Sequence, residues 1–106
     1  MPLRERLRTR FVRYLQRRAA RLEAEGAWVE AAELYLRGIE TEDLAEDLYQ
    51  GLMRCYRELG RPAEGLAVYR RLRQTLSVVL GIAPTAQSEA LYRSLAEMGA
   101  AHPSAA

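Results

Sequence analysis

The sequence predicts an all-α fold, a right-handed stack of about five antiparallel helices. Apolar residues recur at steps of three or four throughout residues 44–80, as on one face of a helix. Gly60 and Pro62 divide that segment into two helices, because glycine closes a helix and proline suits the opening of the next. A similar helix pair precedes it. We therefore expect two helix–turn–helix units and a C-terminal helix that caps them.

The central pair has one apolar stripe on each helix. On the first helix the stripe is Leu48, Leu52, Cys55, Tyr56 and Leu59; on the second it is Leu66, Tyr69, Leu72, Leu76 and Val79. Moving this segment back by 34 residues aligns Gly60 with Gly26 and Tyr69 with Tyr35. A period of this length is typical of the tetratricopeptide repeat.

The first unit is predicted to begin with a helix over about residues 3–25, which Gly26 ends. Its expected buried stripe is Leu3, Leu7, Phe11, Tyr14, Leu15, Ala19 and Leu22. The second helix begins around Trp28. Small side chains at Ala31 and Ala32 allow its backbone to approach the first helix closely.

Two further sequence signals define the ends of the later helices. Asp43 and Glu46 have the spacing of a reciprocal cap at the start of the third helix. The fourth helix is expected to reach Val79 or Leu80, and residues 81–84, Gly-Ile-Ala-Pro, stop it. Thr85 can then cap the fifth helix, which covers the open end of the stack.

Length and composition indicate a single domain of 106 residues, for which we assign residues 1–98, with residues 99–106 as a disordered tail. No apolar run approaches the roughly 20 residues of a membrane span, and the N-terminus lacks the apolar centre of a secretory signal. We therefore expect a cytoplasmic protein. Cys55, the lone cysteine, cannot form an internal disulfide bond.

Charge is strongly segregated along the chain. Residues 1–21 contain eight arginines and one glutamate, whereas residues 23–47 contain nine carboxylates and one arginine. Such asymmetry can indicate nucleic-acid contact, or it can be complementary charge on neighbouring antiparallel helices. We favour the second explanation. Direct nucleic-acid binding through the arginine-rich first helix remains an alternative.

Several motifs resemble one family over nearly the whole chain. They are LRERL at 3–7, GxWxxAxxxY at 26–35, EDLYxxLMRCYxxLGR at 46–61, AVYRRLRQTL at 67–76, LGIAPT at 80–85 and ALYRSL at 90–95. In these motifs the sequence resembles the bacterial transcriptional activator domain of antibiotic-regulatory-type activators. LGIAPT is the most specific, since a generic helical repeat does not need this break before its closing helix.

The resemblance implies a tetratricopeptide-like region that follows a winged-helix DNA-binding domain and serves protein contacts and oligomer formation. Nothing in this chain corresponds to the DNA-binding domain, so we expect a fragment or a stand-alone copy of the interaction half. The implied partners are proteins: the regulator's other domains, a second copy or the transcription machinery. Membrane is not an expected partner. A tetratricopeptide adaptor unrelated to transcription is a further alternative.

The residue types that enzymes require are poorly placed, so we predict no catalytic, cofactor-binding or metal-binding residues. The single histidine, His102, lies in the tail, and Cys55 lies on an apolar stripe. Asp43, Glu46 and Asp47 cluster where a helix start favours carboxylates anyway. No glycine-rich phosphate loop is present.

The predicted contact surface is the concave face, which the first helices of successive units line in a tetratricopeptide stack. The candidates on the first helix are Arg13, Gln16 and Ala20; on the third helix they are Asp47, Gln50, Arg54 and Arg57. Arginine forms paired hydrogen bonds with carboxylates, which favours an acidic or C-terminal ligand segment.

Overall fold

The computed structural model describes residues 2–101, which form five α-helices and no strand. The helices are α1 (Leu3–Ala24), α2 (Trp28–Thr41), α3 (Glu46–Glu58), α4 (Pro62–Leu80) and α5 (Ala86–Ala101). The prediction of an all-α, tetratricopeptide-like stack is confirmed. Helix α5 continues to Ala101, beyond the predicted domain end at residue 98. The remainder of the predicted disordered tail, residues 102–106, lies outside the described part of the chain.

The helices form two layers. Each helix packs against the next one in sequence, and α3 also contacts α1 and α5. Helices α1, α3 and α5 therefore lie side by side, while α2 and α4 cover them from the other side. This is the layering that the two predicted helix–turn–helix units and the closing helix require.

Gly26 and Gly60 make the same local turn at the ends of α1 and α3, and Gly81 makes a related turn at the end of α4. Gly26, Gly60 and Gly81 have φ of 75°, 70° and 65°. In each turn the following N–H bonds back to a carbonyl of the last helical turn: Ala27 to Leu22, Arg61 to Tyr56 and Ile82 to Leu76, at 2.8, 2.9 and 3.3 Å. These left-handed closures were expected from the glycine positions.

Helix α3 supplies both parts of the core. Leu48, Tyr49, Leu52 and Cys55 pack with α1, α2 and α4 in the larger cluster. Met53 packs instead with residues of α4 and α5 in a smaller cluster completed by Tyr69, Leu91 and Leu95. Because one helix serves both clusters, its position determines where all the other helices lie.

The buried stripe predicted for α1 is wrong in its N-terminal half. Leu3, Leu7, Phe11 and Tyr14 are exposed by 64, 54, 41 and 53%. Leu15 and Ala19 are buried as predicted, and Val12, which the predicted stripe did not include, is buried with them. The exposure of Leu3 and Leu7 follows from a difference in length, since α1 has 22 residues and the antiparallel α2 has 14. Phe11 and Tyr14 lie level with the buried Val12 and Leu15 but on another side of the helix. Helix α2 is too short to cover the whole of α1.

A similar mismatch occurs at the other end of the stack. Helix α4 has 19 residues against 13 in α3, so its last turn has no partner on that side. Val79, expected on the buried stripe, is exposed together with Val78, Leu80 and Ile82.

The reciprocal cap predicted between Asp43 and Glu46 does not form. The N-cap position of α3 is Ala45, and no side chain caps it. The Glu46 carboxylate instead accepts hydrogen bonds from the Thr85 N–H and Oγ1, both at 2.9 Å, and from Ser88 Oγ at 2.5 Å. Glu46 therefore caps α5 from a different helix, and so ties the closing helix to α3.

Gly51 lies against the ring of Tyr35 between α3 and α2, and Gly51→Ala tests that contact. An added Cβ would lie 2.3 Å from Cζ of Tyr35, which is 2% exposed. We expect a loss of about 1–3 kcal/mol in unfolding free energy, the usual cost of overpacking. The matched control is Gly99→Ala in α5, where a Cβ meets nothing within 4 Å. It should be neutral or stabilising by up to about 1 kcal/mol through helix propensity. Equal effects in urea unfolding would contradict this packing.

The link between Glu46 and α5 should make stability depend on pH. Burial by itself raises the pKa of the Glu46 carboxyl, but the hydrogen bonds from Ser88 and Thr85 outweigh it, and the net pKa lies below its ordinary value of 4.5. A lowered folded-state pKa stabilises the fold above the unfolded-state pKa, and this is lost as pH falls through the folded-state value.

We therefore expect the stability advantage of the wild type over Glu46→Gln to be full at pH 6–7 and to shrink as the pH is lowered below about 4.5. Urea unfolding followed by circular dichroism at stepped pH measures it. Ser88→Ala removes one donor and should reduce the same pH dependence. A difference between wild type and Glu46→Gln that stays constant with pH would rule out this role for the carboxylate.

Candidate protein-interaction surfaces

Three of the predicted contact residues meet in a cleft between α1 and the start of α3. The cleft has a volume of about 260 Å³ and is lined by Arg8, Thr9, Val12, Arg13, Gln16, Glu42, Ala45 and Asp47. Gln16 Nε2 donates a hydrogen bond to Asp47 Oδ2 across it. The structure thus brings Arg13, Gln16 and Asp47 together, on the side of α1 that faces α3. We call this the α1–α3 cleft.

The α1–α3 cleft has one basic and one acidic edge. Arg8 and Arg13 lie along α1, while Glu42 and Asp47 lie opposite, and none of the four takes part in an ion pair among residues 2–101. Val12 forms an apolar part of the lining. Such a cleft can accept a peptide segment that offers a carboxylate to one edge and N–H donors to the other.

Gln50, predicted to face a partner, is buried. Its side chain is 7% exposed, and its Nε2 donates to Ser88 Oγ at 2.9 Å and to Thr85 Oγ1 at 3.4 Å. The prediction of an outward-facing Gln50 is wrong because α5 packs over α3 at this point. The amide connects the closing helix to the stack, alongside the carboxylate of Glu46.

Arg54 is held within the fold. Its Nε and Nη2 each donate to the Glu23 carboxylate at 3.1 Å, and the Tyr35 hydroxyl donates to the same carboxylate at 2.5 Å. Burial first, and then this hydrogen bond to an anion, raise the pKa of Tyr35 far above its ordinary value. The Arg54 side chain is 34% exposed. The group joins α1, α2 and α3, so Arg54 has limited capacity for a partner.

The other two concave-face candidates are accessible. Arg57 is partly exposed, and its Nε lies 3.7 Å from the Glu58 carboxylate, a loose contact at the surface. Ala20 is exposed on α1. Among residues 2–101, Arg57 forms no ion pair with another helix.

A second surface, which the sequence pattern had assigned to the core, lies on another side of α1. We call it the α1 flank and define it as Leu3, Leu7, Phe11, Tyr14, Arg17, Arg18 and Arg21. Its last four residues enclose a pocket of about 290 Å³. The guanidinium of Arg37 on α2 lies over the Phe11 ring at 5.9 Å, along one edge of the flank. Seven apolar residues on α1 exceed what a shorter second helix can cover, and this excess is the signal in the sequence.

The arginines of α1 are not neutralised by neighbouring helices. The ion pairs among residues 2–101 are Arg54–Glu23, Arg57–Glu58 and Arg61–Glu64. In the pair that joins α1 to α3, α1 supplies the carboxylate of Glu23 and α3 supplies Arg54. This is the reverse of the expected arrangement, in which α1 supplies the arginine. Among residues 2–101 the segregated charge forms no further ion pair between helices, although Arg8 and Arg13 face Glu42 and Asp47 across the α1–α3 cleft. The positive charge of α1 faces solvent.

Reactive groups are sparse in the described part of the chain. The Cys55 side chain is fully buried, and burial raises the pKa of its thiol to about 12, which makes it a weak nucleophile. Residues 2–101 contain no group of three or more His, Cys, Asp or Glu side chains placed to hold a metal ion. Within the same range, no helix is both long and apolar enough to span a membrane.

Comparison with known families agrees with this geometry. The family model of the bacterial transcriptional activator domain matches residues 1–96. The chain belongs to this family. The match covers α1 to α4 and most of α5, so the resemblance seen in the sequence motifs is confirmed. A search of curated proteins and a search of solved structures gave no match.

Membership places this bacterial transcriptional activator domain in transcription regulation, and it weakens the alternative of an unrelated tetratricopeptide adaptor. Within the domain, the polar residues between α1, α3 and α5 fall into two groups. Glu23, Glu46, Gln50 and Arg54 hold helices together. Arg13 and Arg57 remain accessible.

Arg54 and Arg57 should differ in their contribution to stability, although both were predicted to bind a partner. Arg54→Met keeps the aliphatic stem but leaves Glu23 without its charged donor. We expect a loss of about 1–2 kcal/mol, a discounted value for charge-assisted bonds at a site one-third exposed. Arg57→Met, the matched control, should change stability by less than about 0.5 kcal/mol. Equal losses in urea unfolding would mean that the bond to Glu23 has no structural role.

Proposed function

We propose that this domain is a protein-interaction module of a bacterial transcriptional regulator and that another domain, absent from this chain, reads DNA. The α1–α3 cleft is the observation that carries the proposal. It presents Arg13 and Asp47 on a rigid two-helix frame, at a position that no other part of residues 2–101 covers. The family's place in transcription regulation supports the same role.

The cleft favours a peptide segment with exposed polar groups. Arg13, with Arg8 beside it, can bind a carboxylate from an acidic side chain or a chain terminus. Asp47 and Gln16 can accept and donate hydrogen bonds once their mutual contact is exchanged for the partner. Arg57 extends this surface along α3. The partner is another domain of the regulator, a second copy, or the transcription machinery.

The proposed role is non-enzymatic and belongs to the cytoplasm, where bacterial transcription takes place. The family is regulatory, and the only thiol of the chain is buried with a raised pKa. On this proposal, the domain acts by holding particular proteins near a promoter.

The test is site-specific photo-cross-linking in the bacterium that makes the regulator, with the full native protein. A benzophenone amino acid replaces Arg13 in one variant and Arg57 in another; the matched control replaces Gln74, which is exposed on α4. We expect protein adducts from positions 13 and 57 that are at least several-fold stronger than from position 74. Adducts that are equal at all three positions, or none at any, would overturn the proposal.

Direct nucleic-acid binding is the second candidate, and one observation favours it. The eight arginines of α1 are exposed, and none is in an ion pair within residues 2–101. Phosphate contacts by arginine give sequence-independent, salt-sensitive affinity. Photo-adducts with DNA instead of protein from position 13 would support this candidate over the first.

A further inference from the structure

The α1 flank contains a continuous apolar row that is exposed, apart from the Arg37 guanidinium over Phe11. Leu3, Leu7, Phe11 and Tyr14 follow one another at steps of four, four and three residues, which places them on one side of the helix. At 1.5 Å per residue the row is about 17 Å long, or three turns. Each of the four side chains is more than 40% exposed. Exposed apolar rows of this length mark binding surfaces more often than isolated exposed residues do.

Unpaired positive charge frames the row. Successive residues turn by about 100°, so Arg4 follows one edge of the row, Arg10 and Arg17 follow the other edge, and Arg18 lies just beyond its C-terminal end. Arg21 continues the row and closes the pocket beside Tyr14. All these arginines are exposed, and none is in an ion pair with a carboxylate of residues 2–101. Their charge is available to a binding partner.

We propose that the α1 flank docks an amphipathic helix of another protein, one whose apolar stripe is bordered by glutamate or aspartate. A helix of three turns or more matches the row, with apolar residues at steps of three and four against Leu7, Phe11 and Tyr14. Carboxylates on its borders face the arginines, and one of them enters the pocket formed by Arg17, Arg18 and Arg21. Charge complementarity determines the choice of partner.

A second copy of this chain does not fit the surface. Two α1 flanks facing each other would bring Arg17, Arg18 and Arg21, with the bordering Arg4 and Arg10, against the same set of arginines, and like charges across an interface are strongly unfavourable. The acidic helix α2 offers the correct charge but only one exposed large apolar residue, Val29. The partner therefore supplies a helix that combines both features, which no helix of residues 2–101 does.

Nucleic acid and lipid are less suitable than a helix. Phosphates satisfy the arginines but leave the Leu3, Leu7 and Phe11 side chains against water or a polar backbone. A membrane surface needs a broad apolar face, whereas arginines border this row on both edges and Arg37 covers one side of Phe11. A single helix fits a row one side chain wide with charge on both sides.

The flank and the α1–α3 cleft lie on different sides of α1, and they share no residue. Leu7→Ser affects only the flank, and Asp47→Asn affects only the cleft. The two proposals can consequently fail separately.

The experiment titrates the protein with four probes. The first is a synthetic 18-residue amphipathic helix of leucine and alanine bordered by glutamate, carrying a fluorophore. The second is a scrambled peptide of the same composition, the third a 20-base-pair duplex, and the fourth vesicles with one-third anionic lipid. Variants are Leu7→Ser and Tyr14→Ser for the row, Arg17→Ser with Arg21→Ser for the charge, and Val79→Ser as the matched apolar control.

We expect the glutamate-bordered helix to bind at least tenfold more tightly than the scrambled peptide. Each row variant should weaken binding of this helix at least fivefold. The arginine double variant should weaken binding similarly and should also reduce its salt dependence. Val79→Ser should leave the affinity unchanged. Circular dichroism of each variant confirms that the fold is retained, which is expected because all the altered side chains are exposed.

Three results would overturn the proposal. Equal binding of the ordered and scrambled peptides, or no effect of Leu7→Ser, would show that the apolar row is not used. Duplex binding tighter than peptide binding and insensitive to Leu7→Ser would assign the flank to nucleic acid. Vesicle binding that requires both the row and the arginines, with no peptide binding, would assign it to a membrane surface.

Discussion

The close packing of Tyr35 against Gly51 is the contact on which the rest of the structure depends. Because position 51 has no side chain, the aromatic ring lies directly on the backbone of α3. Its hydroxyl then reaches the Glu23 carboxylate, to which Arg54 also donates. The absence of a side chain at Gly51 thus fixes α2 on α3 and lets the Tyr35 hydroxyl and the Arg54 guanidinium bind the same Glu23 carboxylate. With α3 placed, Glu46 and Gln50 in turn position α5.

The sequence predicted the features that arise locally, and it failed where a side chain acts across helices. The turns at Gly26, Gly60 and Gly81 follow from backbone conformation alone, and all three appear at the expected positions. Gln50 and Glu46 were misassigned because their partners, Thr85 and Ser88, are about 35 to 42 residues away in sequence. Helical periodicity shows which residues share a face, but not which helix covers that face.

The α1 helix shows the same limit in its apolar residues. Periodicity selected seven residues for the core, of which Leu15 and Ala19 became buried and Leu22 partly buried. The rest form the α1 flank, so the error in the core prediction coincides with the strongest candidate for a docking surface. A comparison of predicted helix lengths would have removed Leu3 and Leu7 from the predicted core, since 14 residues cannot cover 22. It would not have removed Phe11 and Tyr14, which lie level with the buried Val12 and Leu15.

The two surfaces differ in what a partner must displace. In the α1–α3 cleft, Gln16 and Asp47 already bond to each other, so a ligand there exchanges an existing interhelix contact for its own. The net gain is correspondingly small, and a bound segment would loosen or replace a link between α1 and α3. On the α1 flank, the leucines and arginines have no such contacts to lose, apart from Phe11 beneath Arg37. Binding to the flank therefore leaves the fold intact, whereas binding to the cleft changes a link between α1 and α3. Of the two surfaces, only the cleft can therefore transmit the presence of a partner to the packing of the helices.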